Sequence, residues 1–386
     1  MNPGTTGRGP LAGTRVLEIT GLGPGPFCGM LLADLGADVL RVERADVARA
    51  TDRSRPAGNA MHRGKRAIGL DLKSPEGAAV FVRLAQHADA VIDVFRPGVA
   101  ERLGIGPDDC MAGNPRLVYG RLTGYGQDGP YSQMAGHDID YIAIAGALEP
   151  LGRAGQPPTP PLNVIGDFAG GGMLLAFGIV TALLERERTG VGQVIDAAMI
   201  DGAALMLTPF FSARASGFWG PRGTNLLDTG APFYEVYETS DGEWMAVGAI
   251  EPQFYGAFIA GLGLDLNTLA DRDDPANWPA LKTAFAAVFH QRTRAQWCRI
   301  FDGTDACVAP VMSPTEAHTH PHNVARRGFL VHDGVPQPAP GPRFSAHADP
   351  EPAPPEHPGT DTAAVLAEWG VSGDDVAALQ SAGVLV

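Results

Sequence analysis

The feature that most constrains how this chain can fold is an alternation of short apolar runs with helix-patterned stretches through roughly its first 200 residues. Arg15 to Thr20 (RVLEIT) reads as a strand, followed by a Gly/Pro turn, a helical stretch around Met30 to Leu35 and a second run, ADVLRVE, from Ala37 to Glu43. The pattern recurs. AIGLDL, from Ala67 to Leu72, precedes SPEGAAVFVRLAQHA, where Ser74 is placed to cap a helix and Pro75 takes its first position. AVIDVF and LVYGRLTG follow. Strands separated by helices imply a mostly parallel, doubly wound sheet, and so an α/β fold.

After a helix from about Asp167 to Arg188, GQVIDAAMIDGAALML reads as one more strand and an apolar helix leaving the sheet. Between about Ala231 and Gly261 the pattern changes to FYEVYET and EWMAVGAI, joined by the turn-forming Ser240-Asp241-Gly242, which predicts a smaller α+β domain. The proline-dense stretch from Gly334 to Pro358 predicts an extended connection to two last helices, TAAVLAEWG and SGDDVAALQSAG, each ended by glycine. No internal repeat is visible.

Composition narrows the function. A formal charge of -14 over 386 residues argues against a nucleic-acid partner, so an anionic ligand has to meet a local cluster of cations. Cys28, Cys110, Cys298 and Cys307 form no CxxC pair, which gives neither a zinc site nor a disulfide framework and fits a reducing cytoplasm. The first ten residues are polar and lack the apolar core of a secretory signal, so they read as a loose tail. The longest apolar stretch, Met173 to Leu184, is shorter than the roughly 20 residues that span a bilayer and reads as a buried helix, with no membrane span expected.

Several motifs compete for chemistry. Gly21-Leu22-Gly23-Pro24-Gly25-Pro26, with Glu43 further on, is a poor dinucleotide fingerprint: Pro26 replaces the third glycine and Pro24 removes an N–H that would cradle phosphate. Arg41, Arg44, Lys73, Arg96 and Arg102 recur where strands of the sheet end, the edge that lines the ligand crevice in such folds; together they suit a phosphorylated small ligand, although each taken alone reads more readily as a solvated surface charge. His318, His320 and His322 alternate around Pro321 without a carboxylate or cysteine to complete a metal sphere, so a polar loop is expected there and no metal. Asp167, in IGDFAGGG, stands at the start of a long apolar helix, where an aspartate is a good N-cap; the glycines would let a ligand approach the backbone, and free N–H groups there would stabilise an oxyanion. His137, in AGHDIDY, sits at another loop-to-helix junction.

From Leu11 to the C-terminus the chain resembles the class III CoA-transferases, in particular their α-methylacyl-CoA racemase branch. The matching runs include PLAGTRVLEITGLGPGPF, LLADLGADVLRVER, GKRAIGLDLKSPEG, VFRPGVAERLGIGP, GRLTGYGQDGPYSQMAGHDIDYIA, PPLNVIGDFAGGGM, ERERTGVGQVIDAAMIDG and VGAIEPQFY. The resemblance implies a large Rossmann-like domain assembled from both chain ends plus a small domain, in a homodimer whose subunits interlock. It apportions the chain as residues 1–200 for the large domain, 201–230 for a linker, 231–325 for the small domain, and 326–386 for a return linker and helices completing the large domain. It also assigns the CoA moiety to Arg44, Leu70, Leu72, Lys73, Val94, Phe95, Arg96, Arg102, Gly136 and Tyr141.

In the transferases of this fold an aspartate at the position of Asp167 attacks the thioester to form an anhydride. This sequence has GDFAGGG in place of the GDSNTG-like run of the formyl-CoA-transferase type, together with the GHD and IEPQF segments typical of the racemases. Racemisation needs an acid/base group on each face of the α-carbon. The resemblance implies that Asp167 serves one face and His137 the other, with Glu251 orienting His137. It implies an acyl-CoA substrate, CoA being part of that substrate, and no further cofactor. Met30, Met134, Met173, Met199 and Met206 offer a pliable surface for an acyl tail, but core packing explains most of them more simply. A CoA-transferase acting through Asp167 and a non-catalytic acyl-CoA binder remain the alternatives.

Overall fold

A computed structural model of the chain describes residues 9–55, 57–332 and 334–386; most of the predicted N-terminal tail lies outside them. The chain divides into two compact units. The first comprises the described residues up to Ala145, with Leu162–Met206 and Arg327–Val386; the second comprises Gly146–Pro161 and Leu207–Arg326.

The first unit is built on six parallel strands, β1 (Arg15–Ile19), β2 (Asp38–Arg44), β3 (Lys65–Leu70), β4 (Ala90–Asp93), β5 (Val118–Thr123) and β6 (Val194–Ala198), in the order β3-β2-β1-β4-β5-β6. The chain order reverses between β1 and β4, which pair through Val16–Ala90, Leu17–Val91 and Glu18–Ile92. Crevices for ligands open at such a switch point, outside the carboxyl ends of the strands.

Neighbouring strand residues face opposite ways, so each face builds its own core. Leu17, Leu40 and Tyr119 pack with Phe81 and Leu84 of one helix (Pro75–Ala85) and with Leu366 and Trp369 near the C-terminus. Val16, Val39 and Val118 pack with Cys28 and Leu32 of α1 (Pro24–Asp34) and with Leu175 and Ile179. Ser74 caps Pro75–Ala85 as its sequence position predicts, its hydroxyl accepting from the Gly77 N–H at 2.9 Å. α1 begins earlier than the stretch around Met30 predicted, because Pro24 and Pro26 occupy its first turn, where a missing N–H is tolerated.

The face toward α1 also holds buried charge. Lys65 donates to Glu18 at 2.6 Å, with both side chains fully excluded from solvent, and to the Pro26 carbonyl at 2.8 Å. Nearby, Arg63 makes a paired contact with Asp34.

One long helix runs from Val164 to Thr189: a π-helical segment (Val164–Met173) passes into α-helix (Leu174–Thr189). It starts before Asp167 and well before the apolar run at Met173, because Gly166, Gly170, Gly171 and Gly172 are packed helix residues. Its 26 residues contain a stretch long and apolar enough, by length and composition, to cross a membrane, so the expectation of a short apolar stretch is corrected; Leu175, Ile179 and Leu183 are nonetheless buried inside this unit. In the proline-dense segment Val335–Pro338 pairs antiparallel with Phe329–His332, a hairpin where an extended connection was expected.

In the second unit Tyr234–Glu238 and Trp244–Gly248 form the expected hairpin, with Gly242 at φ 75° in its turn. A third strand, Val308–Pro310, joins them; three residues ending in proline carry no periodicity from which to predict it. Helices Pro252–Leu262, Trp278–Phe289 and Arg294–Phe301 bury Phe258, Phe285, Phe289, Trp297 and Phe301 against this sheet. The segment 146–161 is tied to the same unit by Arg153, which makes a two-pronged contact with buried Glu235 at 2.8 Å for each bond.

Candidate active site

The switch point is closed on one side by the glycine turn after β1. A Cβ at Gly21 would lie 2.6 Å from the Val94 side chain, and one at Gly25 2.3 Å from it, so these glycines exist to admit Val94, the first residue past β4. Gly23, at φ 61°, turns toward the helix carrying Asp167; a Cβ there would stand 3.1 Å from Asp167 Oδ2.

Asp167 lies in the first turn of the π-helical segment, not at its N-cap. The N-cap is Asn163, which makes no capping bond and instead gives its Nδ2 hydrogen to Asp167 Oδ2 at 2.9 Å. The Asp167 N–H is taken by Asp138 Oδ2 at 2.7 Å, so this amide is not available as an oxyanion donor. Burial pushes the Asp167 carboxyl above its ordinary range; the Asn163 bond and the His137 charge oppose this, and the Asp138 charge adds to it.

The glycines after Asp167 do not open the backbone to a ligand. A Cβ at Gly170 would lie 2.7 Å from the Ala203 nitrogen, one at Gly171 2.9 Å from Met199, and one at Gly172 2.6 Å from the Pro24 carbonyl. They let this helix pack closely against α1 and against Met199–Met206.

His137 is exposed and stands at the N-cap of Asp138–Ile144, where its N–H donates to Asp140 Oδ2 at 2.9 Å. Tyr141 is buried one turn on; its hydroxyl donates to the Gly136 carbonyl and its ring meets Tyr125 edge-on at 4.9 Å. Gly136 and Gly124 leave room for that ring, since a Cβ at either would overlap it. Burial, with lesser contributions from Tyr125 and Asp167, raises the Tyr141 hydroxyl to about 12, while the Arg96 charge opposes the shift. His137, Asp138, Tyr141, Asn163 and Asp167 thus form one cluster, with Arg96 near enough for its charge to act on Tyr141.

A model of CoA-transferase family III matches residues 11–362. The chain belongs to that family. It is 47% identical to the α-methylacyl-CoA racemase of Mus musculus over 379 residues, 96% of each chain, and 49% identical to that of Homo sapiens over 334 residues, 86% of each. Among solved structures, a CAIB/BAIF family protein from Brucella suis superposes with a TM-score of 0.80 at 27% identity, covering 94% of this chain and all of that one.

Arg44, Lys73, Arg96 and Arg102 are exposed: Arg44 is the last residue of β2 and is paired with Asp46, Lys73 and Arg96 lie in the loops that follow β3 and β4, and Arg102 ends the short helix Val99–Arg102. Leu70 is buried, pairing through its backbone with Leu385, so any ligand contact there would use the main chain; Leu72 and Phe95 are half-buried against the core. Arg41 does not belong with the strand-end cations: it lies within β2, is buried, and bonds to Glu43 and the Glu356 carbonyl. Glu251 belongs to the second unit, exposed at the N-cap of Pro252–Leu262. Of the five methionines singled out from the sequence, Met199 is buried and Met30 half-buried, whereas Met134, Met173 and Met206 are about half exposed, contrary to the expectation of core packing for most. No group of three or more His, Cys, Asp or Glu among the described residues is arranged to hold a metal ion, and Pro321 starts a short helix in place of the expected loop.

Sequence reasoning missed Asn163 and the side chain of Asp138. Asparagine just before an apolar helix is a readable N-cap signal, but it points to Asn163 only once the helix start is known. The Asp138 contact spans 29 positions and leaves no local signal.

Proposed function

We propose that this chain is an α-methylacyl-CoA racemase, interconverting (R)- and (S)-2-methylacyl-CoA thioesters through an enolate. The observation that carries this reading is the convergence of two titratable groups of different chemistry, His137 and Asp167, on one cluster at the switch point, in a chain nearly half identical to two α-methylacyl-CoA racemases. Ionised Asp167 takes the α-proton on one face as the C–H electrons pass toward the thioester oxygen. Protonated His137 delivers a proton to the opposite face, and the reverse reaction starts from protonated Asp167 and neutral His137. A carboxyl raised by burial is a better base for a weakly acidic C–H than an exposed aspartate.

The CoA moiety is assigned to Arg44, Lys73, Arg96 and Arg102 for its phosphates, and to main chain at Leu70, Leu72, Val94 and Phe95, with Gly136 and Tyr141 flanking the thioester. Glu251 is assigned the orientation of His137; in Glu251→Gln an unchanged pH–rate profile would remove it from the mechanism. The functional assembly is proposed to be a cytoplasmic, interlocked homodimer. In support, only 44% of the apolar window in Val164–Thr189 is buried within the chain, and Met173, Phe177, Val180 and Leu184 leave an apolar face for a second copy.

The deciding experiment incubates one epimer of a 2-methylacyl-CoA with the protein in heavy water. Deuteration with epimerisation and no added acceptor is expected. CoA transfer to an added carboxylic acid without exchange would place the chain with the transferases.

A further inference from the structure

Capping in this cluster is exchanged between distant segments. Asn163 occupies the N-cap of the π-helical segment, where its side chain would ordinarily accept from an early helix N–H. It donates instead to the Asp167 carboxylate, and the acceptor for the Asp167 N–H comes from Asp138, across 29 positions. Asp138 is only 5% exposed, and its Oδ1 is buried with no hydrogen-bond partner among the described residues. Leaving a carboxylate oxygen buried and unpaired is unfavourable, and an ordinary Asn163 cap would avoid it. Gly166 is fitted to the same contact, because a Cβ there would come within 2.7 Å of Asp138 Oδ2.

Asp138 also follows His137 directly in the chain. One side chain therefore links the backbone beside one acid/base group to the backbone of the other. Resting on the racemase reading above, we propose that Asp138 is a positioning residue whose carboxylate fixes the separation of His137 and Asp167. The negative charge of Asp138 beside Asp167 also favours the protonated carboxyl there. The groups facing Asp167 allow the charge effect to be isolated. The helix Asp138–Ile144 contributes Asp138, Asp140 and Tyr141 beside His137, and the preceding loop contributes Asn163. From α1 the one charged side chain, Asp34, is bound to Arg63, and Asp201 on Met199–Met206 is exposed. On β5 Arg121 is paired with Glu101 and lies by Asp93, and on β6 Asp196 accepts from the Gln127 N–H.

The test uses the full chain and two variants. Asp138→Asn keeps an oxygen for the Asp167 N–H but removes the charge; the acid limb of the α-proton exchange rate is expected to move to lower pH. Asp138→Ala removes the link, and kcat is expected to fall about 100-fold with KM within about twofold, the size expected for misplacing reacting groups by about 1 Å. An Asp138→Ala enzyme within about threefold of wild type, or an Asp138→Asn acid limb that does not move, overturns the proposal. If Asp138→Ala does not fold, Asp138→Asn decides alone. Carbon-13 NMR titration of the Asp167 carboxyl in wild type and Asp138→Asn reads the same charge effect without turnover. A midpoint lowered in the variant supports the proposal even if the wild type exchanges no proton, a result that sinks only the racemase reading; an unmoved midpoint sinks the proposal itself.

Discussion

Replacing Lys65 by methionine should destabilise the first unit and make its stability depend on pH with a sign fixed by the structure. Lys65 and Glu18 are both fully buried at 2.6 Å, and Glu18 Oε1 has no hydrogen-bond partner among the described residues. Burial raises the Glu18 carboxyl and lowers the Lys65 ammonium, so for both partners desolvation outweighs their attraction. Removing one partner of such a pair leaves an uncompensated charge and costs about 3–5 kcal/mol, whereas replacing both by apolar groups is often neutral. In Lys65→Met the opposing lysine is gone, so Glu18 is raised further and takes up a proton on folding. A carboxyl raised in the folded state contributes stability that is present below its unfolded pKa and is lost as pH rises through its folded pKa. The variant should therefore be least stable at alkaline pH and recover toward pH about 5. Hydrogen exchange of peptides covering β1 and β3 reads the opening free energy of this unit alone. Three results would refute the reasoning: a Lys65→Met loss below about 1 kcal/mol, equal loss at pH about 5 and 8, or no recovery in Glu18→Met/Lys65→Met.

Asn163→Ala should raise the Asp167 carboxyl further, because its one side-chain donor is lost. The acid limb of proton exchange should then move to higher pH and the rate on the acid side fall roughly tenfold, measured by α-deuteration. Gly23→Ala puts a Cβ against Asp167 at a backbone angle that disfavours L-residues; a loss of about 1–3 kcal/mol, read from thermal melting, should accompany a fall in kcat. Phe177→Asp with Leu184→Asp should shift the assembly from dimer to monomer in sedimentation, and unchanged sedimentation would refute a second copy on this face.

Elements governed by local chemistry were legible from the sequence. Ser74 and Pro75 mark a helix start that near neighbours settle, and Ser240-Asp241-Gly242 marks a turn for the same reason. Residues whose reason lies elsewhere in the chain were misread. Gly170 looks like an opening for a ligand until Gly202 is found against it, and Arg41 looks like a strand-end cation until it is seen buried and bonded to Glu43 and the Glu356 carbonyl. The acid/base pair was reached through family resemblance, since an exposed histidine at a helix N-cap and an aspartate within a glycine-rich run have ordinary structural explanations. Asn163 and Asp138 escaped both routes, because their bonds depend on a helix boundary that the glycines conceal.

The same non-local packing ties the site to the core. Asp167 touches the space at Gly23; Gly23 leads into α1; and the first turn of α1 is held at the Pro26 carbonyl by Lys65, whose charge is met by Glu18 on the central strand. A Cβ at Gly29 would lie only 1.9 Å from Glu18 Oε2, so α1 reaches this position only because Gly29 lets the ion pair lie under it. The chain of contacts gives the buried pair a use that its own energetics do not supply, since burial works against both charges. It follows that Glu18→Met/Lys65→Met can recover stability and still lose turnover, as the carbonyl that locates the turn beside Asp167 would have lost its ammonium. Recovery of both together would mean that α1 is located by its apolar face, through Cys28 and Leu32, and that the ion pair is incidental to the site.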